Sequence, residues 1–331
     1  MSPRLQWVDC GKGIGIVLVV FGHVLAGTHG AGILGDALFS YTYSFVYGFH
    51  MPLFFFLSGL FVERSLARGT GPYFRSKLWS VVYPYVLWSL AIGTVNIALA
   101  GQTNTAPDLA RLLAIWHQPV KGFWFLYALF GCFALYWALS RLPARAHFAV
   151  ALAICAAQPW IYWGPSLVDK FLAHYVFFAA GALFVRERGG GPLELQPAAL
   201  ALTALAFLAA EALYLALEVT PAHNREHVAT TPQFLFVPAL GIATFLALSA
   251  RSASTALGPA LAYLGRRSLA IYVVHLLATA GTRIALARGL GIDAAAVHVL
   301  VGLTAGVVFP LVLYEVAARA RVTRWAGFGP A

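Results

Sequence analysis

Apolar residues fall along this chain in long, nearly unbroken blocks, and polar residues collect in the short gaps between them. A bilayer core asks for about 20 such residues per helix. The blocks predict spans at 12–29, 44–62, 78–100, 123–140, 147–163, 169–186, 197–217, 232–249, 268–288 and 297–317. Pro52, Pro84, Pro159, Pro238 and Pro310 punctuate them, which membrane helices tolerate where neighbouring groups satisfy the freed backbone. The expected fold is all-α: a polytopic integral membrane protein of about ten transmembrane helices, read as a single transmembrane domain over residues 1–331.

Composition narrows this further. Of the 331 residues, 60% are hydrophobic and only 10% charged, whereas soluble domains average about 25% charged. A water-facing surface of ordinary size cannot be covered, which excludes a soluble enzyme, a disordered chain and a fibrous one. The net charge of +10 comes from 22 Lys and Arg against 12 Asp and Glu. It calls for no nucleic-acid partner, because basic loops fix membrane topology. With ten spans, one side carries Arg4, Arg64, Arg68, Arg75, Lys77, Arg141, Arg145, Arg186, Arg188, Arg251, Arg266, Arg267, Arg319, Arg321 and Arg324. The other carries Arg111, Lys121, Lys170, Arg225 and Arg288. That three-to-one bias predicts cytoplasmic N- and C-termini. Asp9 and Lys12 precede the first apolar block and no small-residue cleavage site follows Gly30, so the N-terminus reads as a retained helix. Cys10, Cys132 and Cys155 have no metal-ligand spacing, and no metal is expected.

Ionisable groups at membrane depth are costly, so each is a candidate for function. Lys12 and His23 share the first span. Eleven residues at about 100° each end about 20° past three full turns, so both side chains face the same way, roughly 16 Å apart along the axis. A cation near the membrane boundary suits a phosphate, and a deeper imidazole suits proton transfer near neutral pH. A structural alternative stands beside this, with Lys12 snorkelling toward Asp9 and His23 as a hydrogen-bonded core residue. Gly11, Gly15 and Gly22 on the same helix allow close approach of another backbone or a thin ligand. In GFHMPLFFFLSG, His50 lies beside the helix-loosening Pro52 and either lines a cavity or is structural. HQPVKGFWFLYALF sets His117, Lys121, Trp124 and Tyr127 at an interface, as an aromatic belt or a sugar-stacking platform. YLGRRSLAIYVVHLL adds Arg266, Arg267 and His275. Glu211, Arg283 and Glu315, near helix ends, are expected to snorkel or pair. No GxSxG elbow, Walker loop, HExxH or Rossmann fingerprint is present.

WVDCGKGIGIVLVVFGHV, followed in order by FHMPLFFFLSGLFV, FWFLYALF and LGRRSLAIYVVHLL, resembles the acyltransferase 3 family of bacterial membrane O-acyltransferases, most of all its fucose 4-O-acetylase-like branch. The resemblance runs from about residue 5 to 280. Its most specific element is a basic residue, ten intervening residues and a histidine, met here by Lys12 and His23. It implies an acyl group moving from cytoplasmic acyl-CoA, acetyl-CoA first, to a sugar hydroxyl of a cell-surface or lipid-linked glycan, with no tightly bound cofactor. His23 would then be the catalytic base. Lys12 would be a contact for the CoA phosphates or an acceptor-site cation, Arg75 and Lys77 are expected to join it at the phosphates, and His50, Trp124 and Tyr127 to meet the acceptor. A pantetheine arm, on the order of 15–20 Å, fits the axial separation of Lys12 and His23. Two departures stand out: Lys replaces the Arg that many members carry, offering a point charge instead of a fork, and FWFLYALF lacks the Glu that many carry in that motif. The rival expectations are a multi-pass transporter or flippase using His23 and His50 as a proton relay, and a non-catalytic scaffold or sensor.

Overall fold

The structure is a computed structural model that describes residues 5–98, 113–116, 119, 122–161, 167–218 and 234–329. Among the described residues every regular element is helical: α1 (Gln6–His29), α2 (Asp36–Tyr47), α3 (His50–Gly59), α4 (Val62–Leu66), α5 (Thr70–Ala98), α6 (Trp124–Ala138), α7 (Ala144–Ile161), α8 (Leu167–Arg188), α9 (Pro197–Glu218), α10 (Phe236–Ala253), α11 (Gly258–Arg266), α12 (Ser268–Gly289) and α13 (Ala295–Arg319). Of these, α1, α5, α9, α10, α12 and α13 are long and apolar enough to cross a membrane, and α6 and α7 are shorter apolar helices. Exposed leucines run along α9 at 202, 205, 208, 213 and 217, and α13 exposes Leu300, Val308, Phe309 and Val312. Such apolar faces belong in lipid, and the chain is a multi-pass membrane protein.

The predicted span 44–62 is not one helix. It passes through the end of α2, turns at Gly48 and Phe49, and continues as the ten-residue α3. α5 stays continuous past Pro84 by a π-helical turn over Leu78–Val82. Proline clashes with the carbonyl four residues back and offers no N–H to it, and one wider turn absorbs both defects.

The chain divides into two compact units. Unit 1 comprises residues 1–15, 44–73 and 128–266. One close crossing in it joins α3 and α8. A Cβ on Gly59 would lie 2.0 Å from the Phe178 carbonyl oxygen, and one on Gly181 would lie 2.1 Å from that of Phe56. Only hydrogen fits at either position, and the two backbones touch as closely packed membrane helices do. The start of α1 meets α11 in the same manner, with Gly13 under the Leu261 carbonyl and Gly265 under that of Asp9. Gly11 faces Ser249 Oγ and Gly15 the Phe54 ring, so these glycines serve packing.

Unit 2 comprises residues 16–43, 74–127 and 267–331. α12 and α13, joined by a short link, form its helical hairpin. α1 packs on the pair through Val20 against Gly306 and Val24 against Gly302. The segment after α13 is strapped to α5: Tyr83 Oη donates to the Trp325 carbonyl at 2.7 Å, Trp88 Nε1 to that of Ala326 at 3.0 Å, and the Arg324 guanidinium lies 3.8 Å over the Trp79 ring.

Candidate functional site

The residues that carry the expected chemistry sit first on α1, whose stretch through Gly15 belongs to unit 1 and whose remainder belongs to unit 2. In unit 2 the half-buried His23 ring faces His275 of α12, with centroids 5.0 Å apart and planes tilted by 52°. His275 is fully buried. Its Nδ1 lies 2.7 Å from the Tyr272 carbonyl oxygen and 3.1 Å from that of Ile271. A carbonyl only accepts, so Nδ1 carries the hydrogen, and in the neutral ring Nε2 holds the lone pair. That Nε2 has no hydrogen-bond partner among the described residues. The local cause is helical: a histidine in an apolar helix satisfies one nitrogen on the carbonyl one turn back. His50 does the same to Val46, and His174 to Lys170. What distinguishes His275 is the second imidazole in front of it.

A segment of unit 2 crosses beside this pair. Gly122 has φ +101°, a conformation side chains avoid, and a Cβ there would stand 2.8 Å from Leu276 Cδ1 and 3.6 Å from His23 Cε1. Tyr272 Oη donates to the Gly122 carbonyl at 2.5 Å, and Phe123 and Phe125 pack their rings on Tyr272. Tyr272 therefore fixes the crossing segment while its own carbonyl orients His275. The arrangement offers a basic imidazole nitrogen, a half-exposed imidazole beside it and a glycine that leaves the space above them open to backbone alone. Those are the parts needed to move a proton at one enclosed spot.

The remaining predicted residues are distributed. Lys12 is half-buried in unit 1, with Nζ 5.4 Å from the Phe61 ring centre, and Asp9 one turn before it lies 3.9 Å from Arg266. Arg75 is exposed and Lys77 half-buried on α5 of unit 2, two residues from the Trp79 that carries Arg324. Trp124 opens α6 and is half-buried, and the Tyr127 ring meets Tyr85 at 5.9 Å. The aromatic motif thus reaches the histidine pair through Gly122 and its two phenylalanines. His50, in the first turn of α3 in unit 1, is completely enclosed, donates Nδ1–H to the Val46 carbonyl at 2.6 Å and meets the Tyr47 ring edge-on. His117 and Lys121 lie outside the described residues.

Of the acidic and basic residues expected to snorkel or pair, Glu315 does pair, at 2.8 Å from Arg267. Glu211 does neither: its side chain is 1% exposed and both carboxyl oxygens lack a hydrogen-bond partner among the described residues. Sequence reasoning noticed His275 as an intramembrane histidine but not its partner, and it missed Gly122. An intramembrane histidine one turn from a tyrosine was the only signal available for the first.

Residues 5–315 match the family model described as an acyltransferase domain, acyltransferase 3. The chain is 30% identical over 189 residues to nodulation protein NolL of Mesorhizobium japonicum, covering 55% of this chain and 48% of that protein. It is equally 30% identical over 190 residues to nodulation protein NolL of Sinorhizobium fredii, covering 54% and 48%. The chain thus spans about half the length of these curated relatives. No solved structure matches it. A family match over nearly the whole chain, on helices that carry the basic residue, the spaced histidine and its imidazole partner, shows that this multi-pass membrane protein belongs to the acyltransferase 3 family.

Proposed function

We propose that the protein is a membrane O-acyltransferase that moves an acyl group, acetyl first, from acyl-CoA to a sugar hydroxyl of a cell-surface or lipid-linked glycan. The observation that carries this is the His23–His275 pair, on the helix that also bears Lys12, inside a chain of acyltransferase family. His23 accepts the hydroxyl proton as the oxygen attacks the thioester carbonyl carbon. The C–S bond then breaks, and the departing thiolate takes a proton to leave as free CoA. His275 is a positioning residue in this reading. Its Nδ1–H is committed to backbone, so the ring is held in one orientation 5.0 Å from His23 with the Nε2 lone pair uncommitted, and that lone pair favours the imidazolium that forms on His23.

Lys12, with Arg75 and Lys77, supplies the cations for the CoA phosphates, and Trp124 and Tyr127 the acceptor contacts; His50, enclosed beside the Gly48 turn, would reach an acceptor only if that turn opened. The three-to-one bias of loop charges supports cytoplasmic termini in a bacterial inner membrane with about ten spans, the short α3, α6 and α7 and the less apolar α8 joining the six long helices. The test is acyl-CoA binding and thioester turnover by the purified protein, wild type beside His23→Ala and Lys12→Ala. Binding weakened by Lys12→Ala, with turnover lost in His23→Ala and folding retained, is the expected result. Turnover retained in His23→Ala overturns the mechanism. Absence of acyl-CoA binding, with proton-coupled flux in its place, moves the pair to a transporter's proton relay.

A further inference from the structure

The acidic group that the histidine chemistry leaves unused is Glu211, in the apolar body of α9 in unit 1. Its side chain is 1% exposed, and neither oxygen has a hydrogen-bond partner among the described residues. It is seated against Gly48: a Cβ built there would lie 2.3 Å from Oε1 and 3.1 Å from Oε2. Gly48 begins the two-residue turn between α2 and α3. Any side chain there would occupy the carboxyl's place, so the broken helix carries a notch that the Glu211 head group fills.

The surroundings decide the charge state. α3 brings Phe49, whose ring packs on Phe207 one turn before Glu211, and His50, whose Nδ1–H is given to the Val46 carbonyl. α2 contributes Tyr47, set edge-on to His50, and α9 itself contributes Tyr214, set against Phe234. α10 contributes Gly241, Phe245 and the buried hydroxyl of Thr244, but no charged residue over Phe236–Ser249. Several cations of unit 1 have contacts elsewhere, Lys12 with Phe61, Arg68 with Ser65, Arg145 with Glu187, Arg188 with Phe184, Arg251 with the Leu195 carbonyl and Arg266 with Asp9, and none of the described residues pairs with Glu211. An ionised carboxylate in such a place has no hydrogen-bond partner among the described residues, whereas a neutral carboxylic acid avoids most of that cost. A sodium ion would need several oxygens around it, whereas the carboxyl is seated against the Gly48 backbone.

We propose that Glu211 and the Gly48 turn form a membrane-embedded proton-binding site, in addition to the histidine pair of unit 2. Its ligand is a proton, held as the carboxylic acid in the notch. Loss of that proton obliges the carboxylate to leave the notch for water, so occupancy of the site governs whether α9 and the turn stay packed. This stands independently of the acyl-transfer reading.

Infrared spectroscopy of the full chain in lipid tests it directly, because the carbonyl stretch of a protonated carboxyl is separate from carboxylate bands. The wild type is expected to show that band at neutral pH and Glu211→Gln to lose it, while the folded protein is preserved because the amide is neutral and of the same shape. Removal of a carboxylate band by Glu211→Gln, with no change in the carboxylic-acid band, overturns the proposal. Loss of the acid band when sodium replaces choline at fixed pH also overturns it, in favour of a cation site. Gly48→Ala supplies the second arm: expelling the carboxyl from the notch is expected to shift the acid band or abolish it. A wild-type band untouched by Gly48→Ala would separate Glu211 from the turn and refute the notch.

Discussion

Each unit buries a histidine whose Nε2 has no hydrogen-bond partner among the described residues, and the difference lies in what stands against the ring. In unit 1, His147 of α7 stacks face to face on Tyr136 of α6, with centroids 3.8 Å apart and planes 9° from parallel, and its Nδ1 lies 3.0 Å from Tyr175 Oη of α8. Tyr136 Oη in turn donates to Glu63 at 3.1 Å. His147 is therefore enclosed by two phenols within a network that joins four helices, α4, α6, α7 and α8, and it is 1% exposed. In unit 2, His275 commits its hydrogen to its own helix and faces the half-exposed ring of His23. One histidine is used up in joining helices, and the other is held rigid beside a group that solvent or substrate can reach. Burial and residue type are alike in the two, so the neighbour decides which imidazole is available for chemistry.

The sharpest way to break the comparison is to truncate both members of the unit 2 pair in turn. His23→Ala is expected to lower the acyl-transfer rate by about 10²- to 10⁴-fold, the usual contribution of a general base. His275→Gln removes the rigid lone pair and is expected to lower kcat by about 10-fold while leaving acyl-CoA KM in place. It should also displace the acidic limb of the pH–rate profile, which simple loss of folding would not do. An unchanged profile with lower protein yield would reduce His275 to a packing residue like His147.

Gly122→Ala probes the same site from the crossing segment. The new methyl meets Leu276 Cδ1 at 2.8 Å, and φ +101° is costly for alanine, so a destabilisation of about 1–3 kcal/mol is expected, together with reduced turnover. Thermal unfolding beside activity checks it. Full activity in a stable Gly122→Ala protein would show that the segment does not shape the space above His23.

His147→Phe is the counter-test in unit 1. Phenylalanine preserves the stack on Tyr136 but leaves the Tyr175 hydroxyl without its imidazole, at a cost of about 1–3 kcal/mol. Stability should fall, and the rate per folded molecule should remain that of the wild type. If the rate fell by as much as in His275→Gln, the contrast between the two histidines would collapse.

What the sequence made legible follows the range of the interactions involved. Lys12 and His23 stood out because a charged and a titratable group interrupt an apolar block, and their common face follows from helical spacing alone. Helical character and the long spans followed from block length. The pairing of His23 with His275 joins residues more than two hundred positions apart, and no local pattern encodes it. The turn at Gly48 escaped because the hydropathy of 44–62 is unbroken, and the carboxyl seated against it comes from Glu211 of α9, again a distant residue.

The smallest expected effect lies at the edge of the unit 1 network, where Arg145 of α7 and Glu187 of α8 hold together the two helices that carry His147 and Tyr175. Arg145 Nε and Nη2 donate to the two Glu187 oxygens at 2.8 and 3.0 Å, on the protein surface outside the apolar spans. This forked hydrogen bond holds the Glu187 carboxyl below its ordinary value. A carboxyl whose folded-state pKa is depressed adds stability above its unfolded value and loses it as pH falls through the folded value. Arg145→Gln should therefore melt slightly below the wild type at neutral pH, and the two curves should converge once the pH passes beneath the ordinary carboxylate range, about 4. Because the pair is exposed, added salt should shrink the neutral-pH difference in the same way. A difference that survives both acid and salt would mean that Arg145 acts through its aliphatic stem packed between α7 and α8, and the helices that hold His147 would then depend on apolar contact and the phenol network alone.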